Sequence, residues 1–192
     1  PIKVQMDLTN VVKNAAMFSL SGSNILLHFS APKDLWKVKA DKSQINQVLS
    51  NIVLNARQSM PRGGELSVAL KNSHFLKDNL LTISKGRYLK LTVKDSGSGI
   101  PQKDIERIFN PYFSTRKNGS GMGLSICYSI IRKHDGHIFV SSQMDFGTTI
   151  TLYLPAVNAD NKKDIRMTQT KHDISQVDQF KTLVMDDEEN IR

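Results

Sequence analysis

Between residues 42 and 60 the apolar positions Ile45, Val48, Leu49, Ile52, Val53, Ala56 and Met60 return with a period of 3.6, which predicts a helix from about Lys42 to Met60. PRGG stops it, and ELSVAL opens a strand. YLKLTVKD alternates apolar and polar residues, the period-two pattern of a half-buried strand. By the same patterns, Leu8–Leu20 reads as a short helix, Ser21–Asn24 as a turn and NILLHFSA as a strand, with DLWKVKAD leading into the long helix. QKDIERIF is a short helix ending before Pro111, and the aperiodic stretch Asn110–Ser120 is a mobile loop. GLSICYSIIRKHDG is a helix stopped at Gly136. HIFVSSQ and TTITLYLP form a final hairpin about the turn at Asp145–Gly147. Interspersed helices and strands, with tight turns late in the chain, predict an α+β fold. Its form is a two-layer α/β sandwich whose mixed sheet carries helices on one face. After Pro155 the apolar pattern lapses, as in a linker, until FKTLVMDDEENIR resumes it with a short apolar strand ending in acids.

Composition narrows the picture only modestly. A chain of 192 residues, 39% hydrophobic and 23% charged, is an ordinary soluble globular domain with appendages. Opening on Pro1 rather than Met, it reads as a fragment. Cys127 is the single cysteine, so no internal disulfide forms and a reducing, cytoplasmic setting is expected. No apolar run is long enough for a membrane span and no signal peptide is visible, so no membrane contact is expected. The net charge of +8 raises nucleic acid as a partner. The basic residues are scattered, however, and do not interleave with aromatics, so no nucleic acid is expected. The surplus positive charge favours an anionic ligand.

Three stretches carry candidate chemistry. On the long helix Gln47, Asn51, Asn55 and Gln58 fall within about 80° of one another, an amide row. It is either a polar solvated face or a set of carbonyl oxygens offered to a hard cation such as Mg²⁺. In VKDSGSGIP, Asp95 ends a strand and Gly97 and Gly99 follow at alternate positions. This is either a strand-ending turn or a carboxylate at the mouth of a pocket with bare backbone beside it. In GSGMGLS, Gly119, Gly121 and Gly123 lead straight into a helix, whose free N–H groups suit an anion. No Gly-Lys-Ser/Thr follows, so it is not a P-loop.

Taken in order, an NxxxNA helix, DxGxGIP, FNPYF and GxGxGL resemble the ATP-binding domain of sensor histidine kinases, from about residue 3 to 156. In that family these are the N, G1, F and G2 boxes of the Bergerat, or GHKL-type, fold. NIVLNARQSM with PYFSTRKNGSGMGLSI is most similar to the nitrogen-regulation and oxygen-sensing branch. The resemblance implies that Asn55 binds Mg²⁺ bridging the ATP phosphates, with Asn51 beside it. It places the adenine amino group on Asp95, backbone approach at Gly97 and Gly99, and phosphates at Gly119, Gly121, Gly123 and Leu124. Phe109 and Phe113 would anchor a lid over 110–120, in which Arg116 is a candidate phosphate contact. Gly147 with Thr148 matches the last small glycine motif. Many members carry a lysine three residues after the metal-binding asparagine, where this chain has Gln58.

The resemblance also implies a division of the chain. Residues 1–20 would end an upstream dimerisation domain, 21–156 form the ATP-binding catalytic domain, 157–178 a flexible linker, and 179–192 the start of a receiver domain. TLVMDDEENIR, with Asp186 and Asp187, resembles the first receiver strand, which implies a hybrid kinase. No histidine sits where the family places its phosphoacceptor: His28 and His74 lack an acidic neighbour, His134 and His137 fall at a helix end and a strand start, and His172 lies in the linker. No catalytic acceptor or base is therefore assigned within the chain. The implied partners are an upstream phosphoacceptor domain and a receiver domain, in cis or separate. Two alternatives stand beside this reading: a GHKL-type ATP hydrolase, and a non-catalytic binding module with a degenerate pocket. Hydrolytic relatives carry a Glu four residues before the metal-binding asparagine, and here that position is Asn51, which cannot serve as a base.

Overall fold

The computed structural model describes residues 1–76, 83–115 and 119–157. Arg116, the linker beyond 157 and the receiver-like tail lie outside these residues. In chain order the elements are β1 (Val4–Met6), α1 (Thr9–Leu20), β2 (Ile25–Ser30), β3 (Val38–Ala40), α2 (Lys42–Ser59), β4 (Gly64–Phe75), β5 (Gly86–Asp95), α3 (Gln102–Ile105), α4 (Gly123–Lys133), β6 (His137–Gln143) and β7 (Gly147–Pro155). Five strands form one sheet in the order β2-β4-β5-β7-β6. Strand β2 runs parallel to β4, and the other neighbours are antiparallel.

Alternation along the strands decides which face is covered. Leu89, Leu91 and Val93 of β5 and Ile150, Leu152 and Leu154 of β7 point one way and are buried. Against them pack Val12 and Ala16 of α1, the stripe Ile45–Val48–Leu49–Ile52–Val53 of α2, and Cys127 and Ile131 of α4, in one continuous core. Each fully buried Leu or Ile contributes about 1.5–3 kcal/mol relative to exposure, so this stripe fixes α2 to the sheet. The opposite face carries a smaller cluster of Ile83, Tyr88, Phe139 and Tyr153, against which Phe75 packs. This is the two-layer α+β sandwich that the periodicities predict. Among the described residues, no helix is long and apolar enough to cross a membrane.

The structure adds details that the pattern leaves out. Strands β1 and β3 pair antiparallel as a second, two-stranded sheet; at three residues each they are too short to show a period. Helix α1 shares the core with α2, so residues 8–20 pack as part of this sandwich. The helix expected over QKDIERIF is α-helical only over Gln102–Ile105. Beyond it, Arg107 N–H donates to the Asp104 carbonyl and Asn110 N–H to that of Arg107, tighter three-residue steps. At the end of α4 the left-handed residue is Asp135, with φ 57°, rather than Gly136.

Candidate functional site

Helix α2 supplies the wall of the site, and its start explains its placement. Asp41 is extended and caps α2, its Oδ1 accepting from Ser43 N–H at 3.0 Å and Gln44 N–H at 3.2 Å. From there the apolar stripe lies on the sheet and the amide row turns toward α4. Asn51 Nδ2 donates to the Gly123 carbonyl at 3.2 Å, joining the amide row to the third glycine of the second loop.

Between α2, the end of β5, both glycine loops and β7 lies a cavity of about 530 Å³. Its lining includes Asn51, Asn55, Asp95, Gly99, Phe113, Gly119, Gly121, Gly123, Leu124 and Thr148 of the expected site residues. Gly97 does not line it but packs against Ser59 and the Asp95 carboxylate. Phe109 is buried in the core beside Tyr128, with ring centroids 5.7 Å apart. Phe113, also expected as a lid anchor, is half-buried under the Arg107 guanidinium, 4.5 Å from its ring. Gln58 lines the cavity as well.

Asp95 sits at the base of this cavity and is only 7% exposed. A carboxylate out of water has to be satisfied by donors. Its Oδ1 accepts from Gly97 N–H at 2.9 Å and from Thr148 N–H at 3.2 Å. The Ser59 hydroxyl is shared between the Ala56 carbonyl, at 2.7 Å, and the same Oδ1, at 3.3 Å. These contacts fix the carboxylate at the end of its strand.

Two serines that the sequence reading did not single out hold this arrangement. Ser59 lies four residues after Asn55 on the same side of α2, and its carbonyl accepts from Ser98 N–H at 3.3 Å, docking the first glycine loop. Ser142 accepts from Ile100 N–H at 2.8 Å and donates to the Gly147 carbonyl at 2.9 Å. The period-two rule puts Ser142 on the inward face with Ile138 and Val140, so a polar residue at a core-facing position was its signal. Asp145 N–H donates to the Ser98 carbonyl at 2.8 Å, tying the tip of the hairpin to the same loop.

The second loop serves the other end. Gly121 is left-handed, φ 67°, and a Cβ there would stand 2.7 Å from the Phe113 nitrogen, so the loop lies directly on the backbone at Phe113. Among the described residues the N-cap position, Met122, makes no side-chain cap to α4, and its own N–H donates to Ser120 Oγ at 3.4 Å. The first-turn N–H groups of α4 have no helical acceptor and suit an anion. A Cβ on Gly123 would come nearest to Asn55 Nδ2 at 3.8 Å and Asn51 Cγ at 3.9 Å. The missing side chain thus opens the space between the helix start and the two amides. The amides of Asn51 and Asn55 on one side and helix N–H groups on the other suit a phosphate group and its hard cation, for which the amide oxygens would be the ligands.

The family model described as histidine kinase-, DNA gyrase B-, and HSP90-like ATPase matches residues 40–158. The chain belongs to this ATPase family. Among curated relatives it is 36% identical over 166 residues to the sensor kinase CckA of Brucella abortus, covering 83% of this chain and 18% of that protein. It is 35% identical over 160 residues to the sensor histidine kinase ZraS of Escherichia coli, covering 82% and 32%. The chain thus spans less than a third of the length of both relatives. Among solved structures, the mycobacterial sensor histidine kinase MprB aligns with TM-score 0.66 and 27% identity, over 81% of this chain and 98% of that one. The catalytic domain of histidine kinase ThkA aligns with TM-score 0.66 and 26% identity, over 80% and 95%. The ATPase fold found here is that of histidine kinase catalytic domains.

Proposed function

We propose that this ATPase domain is the catalytic part of a two-component sensor histidine kinase. It presents the γ-phosphoryl group of Mg-ATP to a histidine on a separate dimerisation domain. The observation that carries this reading is the buried, oriented Asp95 carboxylate facing an open cavity whose far wall is the start of α4. Asp95 accepts from the exocyclic amino group of adenine, and Gly99 lets the base approach the first loop. The N–H groups at Gly121–Leu124 receive the phosphates, with Arg116 and Gly119 contributing from the lid. Asn55, with Asn51 beside it, would hold the Mg²⁺, whose charge, when bound, neutralises charge on the phosphate oxygens. Phosphoryl transfer needs mainly positioning and charge neutralisation, and these residues supply both without a covalent step. The lid between Phe109 and Phe113 on one side and Gly121 on the other excludes water when closed.

The same reading makes the parent a hybrid kinase whose catalytic part is cytoplasmic, with residues 179–192 beginning a receiver domain and Asp186 and Asp187 helping to bind its metal. The partners are the parent's own phosphoacceptor domain and a receiver, in cis or in a separate regulator. The hydrolytic alternative is disfavoured by Asn51, which lies against the Gly123 carbonyl where a hydrolase needs a carboxylate base. Incubation of the 192-residue chain with γ-labelled ATP and Mg²⁺ separates the two. The kinase reading predicts saturable retention of nucleotide, slow turnover and no acid-labile label on the chain. Rapid steady-state turnover would restore the hydrolase, and acid-labile label on the chain itself would remove the need for a separate acceptor.

A further inference from the structure

Polar links join α2 to α4 along their length. At the cavity, Asn51 donates to the Gly123 carbonyl. Midway, the Cys127 thiol points at the Val48 carbonyl, 3.6 Å away. At the end remote from the cavity the link is His134, which is 2% exposed. Its Nδ1–H donates to the Ile130 carbonyl at 2.8 Å, which leaves Nε2 to accept from the Asp41 backbone N–H at 3.0 Å. Asp41 is the cap of α2 and His134 ends α4, so one imidazole ties the start of one site helix to the finish of the other. The entering chain meets this junction too. Ile2 N–H donates to Asp41 Oδ2 at 2.9 Å, and the Lys3 ammonium lies 3.0 Å from the Asp135 carboxylate.

We infer that His134 and Asp41 are positioning residues for the nucleotide site. They set the axial offset of α4 against α2, and they pass the placement of the entering strand to the pair. The inference rests on the nucleotide-binding reading, and its logic is geometric. A ligand gripped by the N–H groups at Gly123 and by the amides of Asn51 and Asn55 needs the two helices at one fixed offset. A helix is a rod rising about 1.5 Å per residue, so a slide at its finish arrives undiminished at its start. A misplacement of about 1 Å is enough to weaken a site that depends on several simultaneous contacts.

The test is calorimetric titration of the 192-residue chain with Mg²⁺ and a non-hydrolysable ATP analogue, alongside thermal unfolding followed by circular dichroism. The native chain is compared with His134→Leu, His134→Gln and Asp41→Asn. His134→Leu should bind about five- to tenfold more weakly at a temperature where it is fully folded, the effect of about one ligand hydrogen bond lost when the two helices slip out of register. In His134→Gln the side-chain carbonyl can take over the Nε2 acceptor, so affinity should stay within about twofold of native. Asp41→Asn keeps a cap acceptor but turns an amide against Ile2 N–H, and should fall between the two. Native affinity in folded His134→Leu, with only its melting temperature lowered, would overturn the inference. If the leucine variant does not fold, His134→Gln and Asp41→Asn decide it: native affinity for Asp41→Asn, or strong weakening for His134→Gln, overturns it. Failure of the native chain to bind would instead remove the nucleotide reading, and this inference with it.

Discussion

At the scale of single residues, the site is built by polar groups that hold one another before any ligand arrives. Gly147 shows how little room this leaves. It is left-handed, φ 96°, and a Cβ there would stand 2.8 Å from the Asp95 carbonyl carbon. Gly147→Ala should therefore cost about 2–4 kcal/mol, from the left-handed backbone and from overpacking, and should weaken nucleotide binding by displacing Thr148 and Asp95; urea unfolding checks the first part. Cys127 gives a second residue-level prediction. Burial pushes its thiol from an ordinary 9 up to about 12. An acid whose folded pKa is raised contributes nothing to pH dependence below its unfolded value, and the native state loses stability as pH climbs from 9 toward 12. Unfolding measured across that range should fall more steeply for the native chain than for Cys127→Ala, and a thiol reagent at pH 8 should leave the folded chain unlabelled. Of these residues Asp95 and the glycines were legible in the sequence, because acids and glycines at fixed spacing are local signals. Ser59 was not, since its partners Asp95 and Ser98 lie far along the chain, and Ser142 left only the trace of a polar residue at a core-facing position.

Among the elements, α2 was the most legible, because a seven-member apolar stripe states both its length and the face it buries. Leu49→Ala or Ile52→Ala, each only 1% exposed in the native chain, should cost about 2–5 kcal/mol in chemical unfolding. The start of α2 adds a pH dependence. The Asp41 carboxyl is held down from an ordinary 3.8 to about 2, first by the Ser43 hydroxyl and then by the N–H groups of Ile2 and Gln44. A carboxylate with a depressed folded pKa contributes stability above its unfolded value and loses it as pH falls through the folded one. The native chain should thus be more stable than Asp41→Asn above pH 4, with the difference in unfolding midpoint closing between pH 4 and 2. The pair β1–β3 and the short reach of α3 were illegible for a common reason. Their conformations are set by neighbours across the fold, and each is too brief to carry a period of its own.

At the scale of the whole molecule, the sheet order β2-β4-β5-β7-β6 brings the end of β5 beside the start of β7. It thereby sets Asp95 next to Thr148, fifty-three positions away in sequence. Helices α2 and α4, packed side by side on the same face, bring the two glycine loops to opposite ends of one cavity. That convergence lets motifs spread along the chain meet at one cavity, and the fold that produces it is that of the histidine kinase catalytic domains the chain resembles in three dimensions. On the proposed function, this cavity binds adenine through Asp95. Calorimetric titration with a non-hydrolysable ATP analogue and Mg²⁺, on the native chain and on Asp95→Asn, tests it most directly. The native chain should show saturable one-to-one binding, and the folded variant a loss of about tenfold or more, as expected for a hydrogen bond to a charged acceptor. Equal affinity for the two chains, or none for the native one, would contradict it.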